Sequence, residues 1–425
     1  MSDFLINEDR LLKEKYYYKT SSNGLRVVVI PKKFPTEFAC IGVNFGGRDS
    51  KFEKDGKIFS FPLGCAHFLE HKMFENEDGT DALADFDAFG GNANAFTSFD
   101  STCFYFSCTE NFNENLSVLL KCVTHPHFTK ESVEREKKII SEEILMYEDS
   151  PNSKVSMNLM KAMCFSHPVR EPLAGTVRTI SEITADTLYN CYDAFYVPSN
   201  MVLAVSTSED PGRIMETVEK YFTKPDGKRP LTLIEPEKPF VKQKFISEKG
   251  ITASPLFCIG FKGGDLGNGE KALKKAAEIR TAVSMAFGRS SDFYCNNYEK
   301  GELGERFSVS FEWTEGLSYF GLGGSCKDPE KLLSEVIEEI EYRKKNFFDK
   351  EAFAREKKAS YAGGIMLFDS IEDTVISFVT DMLSGFDEFE CIKALREVTF
   401  EGAKTAFDSL TDTEKCSLSI IYPNS

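Results

Sequence analysis

Phe128-Thr-Lys-Glu-Ser-Val-Glu-Arg-Glu-Lys-Lys138 and Phe348-Asp-Lys-Glu-Ala-Phe-Ala-Arg-Glu-Lys-Lys358 are two versions of one segment. A second pair lies upstream of each: Phe38-Ala-Cys-Ile-Gly-Val-Asn-Phe-Gly-Gly-Arg-Asp49 and Leu256-Phe-Cys-Ile-Gly-Phe-Lys-Gly-Gly-Asp265. Cys40 and Cys258 are 218 positions apart, and Glu136 and Glu356 are 220 apart. Two matches at nearly one offset imply a duplicated unit of about half the chain. That period is far too long for a solenoid, so two similar domains are expected. Pro225, Asp226, Gly227, Pro230, Pro236 and Pro239 cluster between them. Such residues punctuate structure, so the domains are expected at 1–222 and 241–425 with a link over 223–240.

Each half mixes strands and helices. Leu25-Arg-Val-Val-Val-Ile30 and Met201-Val-Leu-Ala-Val205 have the β-branched content and length of strands. The apolar periodicity of 112–122, 131–148, 330–345 and 350–366 predicts helices. The expected fold class is α+β, with two homologous sheet-plus-helices domains.

A net charge of −16 gives a nucleic-acid role no electrostatic support. No apolar run is long enough to span a bilayer, and the first ten residues lack a secretory pattern. The twelve cysteines include no Cys-x-x-Cys pair. Cys40, Cys65, Cys103 and Cys258 lie in apolar runs and read as buried thiols, which predicts a cytoplasmic protein and disfavours a thiolate metal site.

Chemistry concentrates in His67-Phe-Leu-Glu-His71. Two histidines four apart project from one helix face, as two imidazole ligands of one zinc require. Glu70 lies beside them, where it can lean over a metal without being a ligand and can take a proton from bound water. The order His-x-x-Glu-His is the inverzincin pattern. The chain has only five histidines, so abundance does not explain the pair. The competing reading is a polar helix face that happens to carry two histidines. His125, His127 and His167 flank or precede prolines and read as ordinary loop residues.

A third ligand is sought in the helix 131–148. On a helical wheel, Val133, Glu136, Ile140, Glu143, Ile144 and Tyr147 share one face, and Glu142 falls nearly opposite. A carboxylate on an apolar face needs a partner. Glu143 is therefore the expected third ligand, with Glu136 two turns earlier able to orient a ligating histidine. The alternative is that both carboxylates sit at the helix edge, in water.

The run Gly64-Cys-Ala-His67-Phe-Leu-Glu70-His71-Lys-Met-Phe-Glu75 resembles the pitrilysin/insulinase family of inverzincin metallopeptidases, especially its short two-domain bacterial members. So do Asn94-Ala-Phe-Thr-Ser98 with Thr102 to Phe106, Glu136-Lys-Lys-Ile-Ile-Ser-Glu-Glu143, His167-Pro168, Gly175-Thr176 and Tyr196-Val-Pro-Ser-Asn-Met201. The resemblance implies His67, His71 and Glu143 as ligands of one zinc per chain. It implies Glu70 and Glu136 as the catalytic carboxylates, the first as base and the second as support. It also implies that each chain forms half of a clamshell. Gly90-Gly-Asn-Ala-Asn-Ala-Phe-Thr97 is similar to the family's substrate-binding edge strand, so Asn94, Ala95 and Phe96 are expected peptide contacts. A plain turn into an ordinary strand is the alternative.

The second copy departs from the first. Gly363 stands where Glu143 would repeat, and no histidine follows His167. Many relatives also carry an Arg and a Tyr in the C-terminal half that bind substrate and its oxyanion. Here Tyr298 and Phe307 stand in those places, and a phenyl ring donates no hydrogen bond. Arg306 is one substitute. The favoured expectation is a related partner subunit that lacks zinc ligands, as a heterodimer, with a homodimer as the alternative. The predicted activity is zinc-dependent endopeptidase action on unfolded peptides or short polypeptides. A dedicated precursor-processing peptidase and a non-catalytic peptide-binding or assembly subunit are the competing functions.

Overall fold

The computed structural model describes residues 4–223 and 227–424. Pro225 and Asp226 of the expected link lie outside the described residues. The strands of the first half are β1 (Leu5–Asp9), β2 (Glu14–Thr20), β3 (Arg26–Ile30), β4 (Glu37–Val43), β5 (Lys51–Lys54), β6 (Lys57–Ser60), β7 (Gly91–Thr97), β8 (Thr102–Cys108) and β9 (Met201–Ser206). The later strands are β10 (Leu231–Thr232), β11 (Phe245–Gly250), β12 (Leu256–Lys262), β13 (Ser308–Thr314), β14 (Leu317–Ser325) and β15 (Cys416–Pro423).

One sheet runs β1-β2-β3-β9-β4-β8-β7 and another runs β11-β15-β12-β14-β13. The second repeats the last five positions of the first. In each, the first of the five pairs parallel with its neighbour and the other ladders are antiparallel. The Cys-Ile-Gly repeats lie on β4 and β12, the middle strands of these five. The fold is thus α+β and duplicated. A small sheet, β10-β5-β6, accompanies the first.

The two compact units interleave along the chain. One contains Met1–Ile144, Pro172–Leu233 and Ile365–Phe389; the other contains Leu145–Glu171, Ile234–Gly364 and Glu390–Ser425. In the first unit, Ala39, Ile41 and Val43 face the main core, together with alternate residues of β3 and β9. The opposite face is covered by helix Ile371–Ser384, which packs on β4 and β9. Both faces being covered explains why β9 is buried throughout and reads as an apolar run from Met201 to Val205. Ser370 caps that helix by accepting from the Asp373 N–H, and Gly385 ends it at φ 95°.

The second unit uses the same device with helix Pro151–Met163, which packs on β12 and β15. Ser150 caps it and Pro151 occupies its first turn. The glycine of each Cys-Ile-Gly repeat is what lets these helices approach. A Cβ on Gly42 would lie 2.3 Å from Val379 Cγ1, and one on Gly260 would lie 2.6 Å from Met163 Sδ. The same unit holds a buried ion pair, Lys262 Nζ to Glu237 Oε1 at 2.9 Å. Glu237 also accepts from the N–H groups of Phe165, Ser166 and His167, so it pins the chain just after that helix.

Two details differ from expectation. Tyr147 is exposed rather than on the buried face, because from Leu145 onward the helix has left the first unit's core. Cys258 is only half-buried, although all twelve cysteines are free and most are buried. Among the described residues, no helix is long and apolar enough to cross a membrane.

Candidate metal centre

Helix Cys65–Lys72 starts at Gly64, whose φ is 93°. A Cβ there would meet the Ala174 carbonyl oxygen at 2.4 Å, and a Cβ on Gly175 would meet the Leu63 carbonyl oxygen at 2.4 Å. Two glycines thus let two chain segments clasp each other where the helix begins. The helix then buries Cys65, Ala66, Phe68 and Leu69 in the core. That rotation leaves His67, Glu70 and His71 toward the neighbouring helix and β7.

Facing them is helix Lys130–Asp149. Thr129 and Ser132 cap it reciprocally, each hydroxyl accepting from the other's N–H at 3.1–3.3 Å. Val133, Ile140 and Ile144 bury one face, which turns Glu136 and Glu143 toward the histidines. Glu142 is exposed.

The structure brings His67, His71 and Glu143 together, with their ligand atoms all within 4.8 Å of one another. His67 Nε2 lies 3.5 Å from Glu143 Oε1, and His71 Nε2 lies 3.4 Å from Glu143 Oε2. Ligands about 2.0–2.1 Å from a tetrahedral zinc are separated by roughly 3.3 Å, so these spacings fit zinc with little movement. The donor set, two imidazoles and one carboxylate, is also a zinc set. The two rings stand 4.7 Å apart at 65°.

His71 Nδ1 lies 2.9 Å from Glu136 Oε1. A carboxylate there holds the proton on Nδ1 and leaves the Nε2 lone pair for a metal. Burial works to raise the Glu136 pKa, but the His71 hydrogen bond and nearby cations outweigh it and lower the pKa. Burial pulls the His71 pKa down, yet Glu136, Glu143 and Glu70 raise it overall. His67 behaves differently: burial and then the His71 charge pull it to about 4 against the surrounding carboxylates. The lowering favours the neutral imidazole, the form that binds metal.

Glu70 is the remaining acid. Burial raises its pKa, while a hydrogen bond from Thr97 Oγ1 to Glu70 Oε2, at 2.5 Å, works the other way. Thr97 closes β7 and is a contact that ligand spacing and helical wheels do not reveal, because it joins a strand to a helix. Beside the centre, buried Lys72 pairs with Glu75, and Arg135 reaches Glu75 at 3.5 Å.

Of the residues expected to hold peptide, Asn94 is exposed and Ala95 and Phe96 are half-buried. They lie on β7, which ends its sheet and pairs only with β8 among the described strands. The Ala95 N–H donates to Asn94 Oδ1 at 2.8 Å. His167 is not a loop histidine in solvent: it is fully buried, accepts from the Val169 N–H and donates to the Glu315 carbonyl. Phe307 is buried against Phe257 and Tyr294, Tyr298 stacks on Tyr294, and Arg306 is exposed.

Known proteins resemble this chain over most of its length. The family described as "Insulinase (Peptidase family M16)" matches residues 60–177, and "Peptidase M16 inactive domain" matches residues 182–360. The uncharacterized zinc protease YmfH of Bacillus subtilis (strain 168) is 34% identical over 424 residues, covering 97% of this chain and 98% of the relative. YmxG of the same organism, also named an uncharacterized zinc protease, is 32% identical over 75% of this chain and 76% of its own length. An M16-like peptidase from Alicyclobacillus acidocaldarius superposes with a TM-score of 0.92 at 30% identity, covering 97% of this chain and 99% of that one.

Proposed function

This chain belongs to the insulinase family of peptidases, and on that premise we propose that it is a zinc-dependent endopeptidase acting on unfolded peptides or short polypeptides. The observation that carries the reading is the convergence of His67, His71 and Glu143 beside a Glu70 that is not needed as a ligand. Zinc bound there supplies Lewis acidity, which polarises a peptide carbonyl and makes water a stronger acid. The residues do the rest. Nε2 of each histidine and the Glu143 carboxylate would hold the cation, and Glu136 fixes the His71 tautomer through Nδ1. Glu70 accepts a proton from the attacking water at Oε1, the oxygen not engaged by Thr97, and returns it to the leaving amine. Burial that raises the Glu70 pKa suits a group that must both take and give a proton.

The open edge of β7 suits an extended peptide, which adds as a further strand and displaces the Asn94 side chain from the Ala95 N–H. Asn94, Ala95 and Phe96 are the contacts on this reading. The His-x-x-Glu-His site occurs once, because residues 241–425 contain no histidine, and this reading assigns one zinc per chain to it. Residues 1–222 carry the metal chemistry, and 241–425 act as a metal-free homologous half joined through 223–240.

The oxyanion side needs a donor that Phe307, buried in its own core, does not offer. We assign that role to a related subunit without zinc ligands. A second reading, a non-catalytic peptide-holding subunit, has one support: the family description "inactive domain" for residues 182–360.

Glu70→Gln separates the readings. The variant is expected to bind zinc as the wild type does and to lose peptide hydrolysis, measured by quenched-fluorophore peptide cleavage with and without a co-expressed related chain. A variant that cleaves normally removes Glu70 as the base. A wild type that binds zinc and cleaves nothing with any partner favours the non-catalytic reading.

A further inference from the structure

We propose that Thr97 is a positioning residue for Glu70: it holds one carboxylate oxygen so that the other is aimed at the reacting water. The inference rests on the peptidase reading and deepens it.

The strand alternates in what its two faces touch. Gly91, Ala93 and Ala95 face the helix layer: a Cβ on Gly91 would strike the Asn115 side chain at 2.1 Å, and both alanines pack on the main core. Asn92 and Asn94 are exposed, and Phe96 lies on their side, its ring 6.3 Å from Tyr105. By the same period of two, Thr97 belongs to the helix-facing row. The three residues before it in that row are Gly, Ala and Ala, all small, and helix Cys65–Lys72 packs on this strand. Thr97 is the first in the row with a polar side chain, and its hydroxyl donates to Glu70 Oε2 at 2.5 Å.

The donor is held firmly. Thr97 pairs with Thr102 at the last rung of the β7–β8 ladder. The turn beyond it is closed by the Ser98 N–H to the Ser101 carbonyl at 2.7 Å, and Ser98 Oγ accepts from the Asp100 and Ser101 N–H groups. A β-branched side chain on a fixed strand has few χ1 options, so the hydroxyl position is set by the backbone. Glu70, by contrast, is a flexible side chain on a short helix. Its carboxylate needs an outside contact to keep one orientation, and Thr97 is that contact. The strand proposed to bind peptide and the base thereby share one hydrogen bond.

The test compares Thr97→Val, which removes only the hydroxyl at nearly the same volume, with Thr97→Ser, which keeps it. Each full-length variant, with its partner chain if one is required, is assayed for kcat, KM, zinc content and Tm. A misaimed base is expected to lower kcat roughly tenfold to a hundredfold, with KM within about twofold and zinc content unchanged, and Thr97→Ser is expected to restore most of the rate. A double-mutant cycle of Thr97→Val with Glu70→Gln adds a readout without turnover: the Tm losses are expected to be non-additive. Equal kcat for Thr97→Val in an active enzyme overturns this inference alone. A raised KM at unchanged kcat overturns it too, assigning Thr97 to peptide binding. A wild type that cleaves no peptide under any condition overturns the peptidase reading and this inference with it.

Discussion

Replacing Glu136 tests the centre through zinc affinity alone, before any substrate is known. Its Oε1 lies 2.9 Å from His71 Nδ1, and His71 Nε2 lies 3.4 Å from Glu143 Oε2. Glu136→Gln keeps an acceptor but loses the charge, whereas Glu136→Ala loses both. A hydrogen bond to a charged group is worth about 1.5–3 kcal/mol and a neutral one about 0.5–1.5 kcal/mol. The glutamine therefore forfeits about 1–1.5 kcal/mol, close to one power of ten at about 1.4 kcal/mol per decade. The alanine forfeits up to about twice that, or roughly a hundredfold, which matches the usual range for partners of ligating histidines.

The assay is competition for zinc against a chromophoric chelator at one fixed pH, with Tm recorded for the apoprotein of each variant. The expected order is wild type, then Gln weaker by about tenfold, then Ala weaker by up to about a hundredfold, with similar apo Tm values. If Glu136→Ala binds zinc within twofold of the wild type, the tautomer of His71 is not set by this carboxylate. If affinity and apo Tm fall together, Glu136 is a packing element and the electrostatic account is wrong.

Other expectations follow from packing and from the second unit. Gly42→Ala is expected to destabilise by about 1–3 kcal/mol through overpacking, and more than Gly260→Ala, because Val379 is branched and stiff whereas Met163 can bend away; equal losses in urea unfolding would contradict the packing argument. Burial works to raise the Glu237 pKa, but backbone donors and Lys262 hold it down to about 2. A depressed folded pKa means that this stabilisation is complete above the ordinary carboxylate range and is lost as pH falls toward 2. Glu237→Ala, which leaves the buried Lys262 charge with only the Met163 and Phe240 carbonyls, is expected to cost about 3–5 kcal/mol near neutrality, and its deficit relative to wild type should shrink in acid-unfolding curves.

Much of the architecture was legible because duplication leaves a mark that needs no structural knowledge. The Cys-Ile-Gly repeats fall on equivalent strands, and the helices expected over 112–122, 131–148, 330–345 and 350–366 form at Phe112–Thr124, Lys130–Asp149, Pro329–Lys345 and Lys350–Met366. The convergence of His67, His71 and Glu143 was legible for a similar reason: a helix turn of fixed pitch converts spacing into direction. What stayed hidden depends on contacts between elements distant in sequence. Nothing in Pro151–Met163 or Ile371–Ser384 says which sheet each will cover, although Gly42 and Gly260 mark where a helix comes close. Thr97 stayed hidden because strand and helix meet only in three dimensions. Tyr147 fits the wheel but fails in space, because a wheel has no knowledge of where the core ends.

The two units share a sheet order, and where the second departs from the first the missing histidines of the short helix weigh more than the change on the long one. Gly363 occupies the place of Glu143 in the repeat, on helix Lys350–Met366. A Cβ there would meet nothing within 4 Å, so packing does not forbid a glutamate. The first unit, however, supplies two imidazoles from a helix between β6 and β7. Between β12 and β13 the second unit has helices Glu270–Phe287 and Asp292–Glu299, neither with a histidine. A lone carboxylate on a solvent-facing helix binds no zinc of consequence, because structural and catalytic sites alike need at least three protein ligands. Gly363→Glu is therefore expected to leave zinc stoichiometry unchanged while raising stability by roughly 0.5–1 kcal/mol, since glycine is a poor helix residue. Equilibrium dialysis with metal analysis, beside a urea titration, reads both quantities. A second zinc per chain in that variant would mean that ligands from elsewhere reach this helix, and the assignment of the second unit as metal-free by sequence would fail.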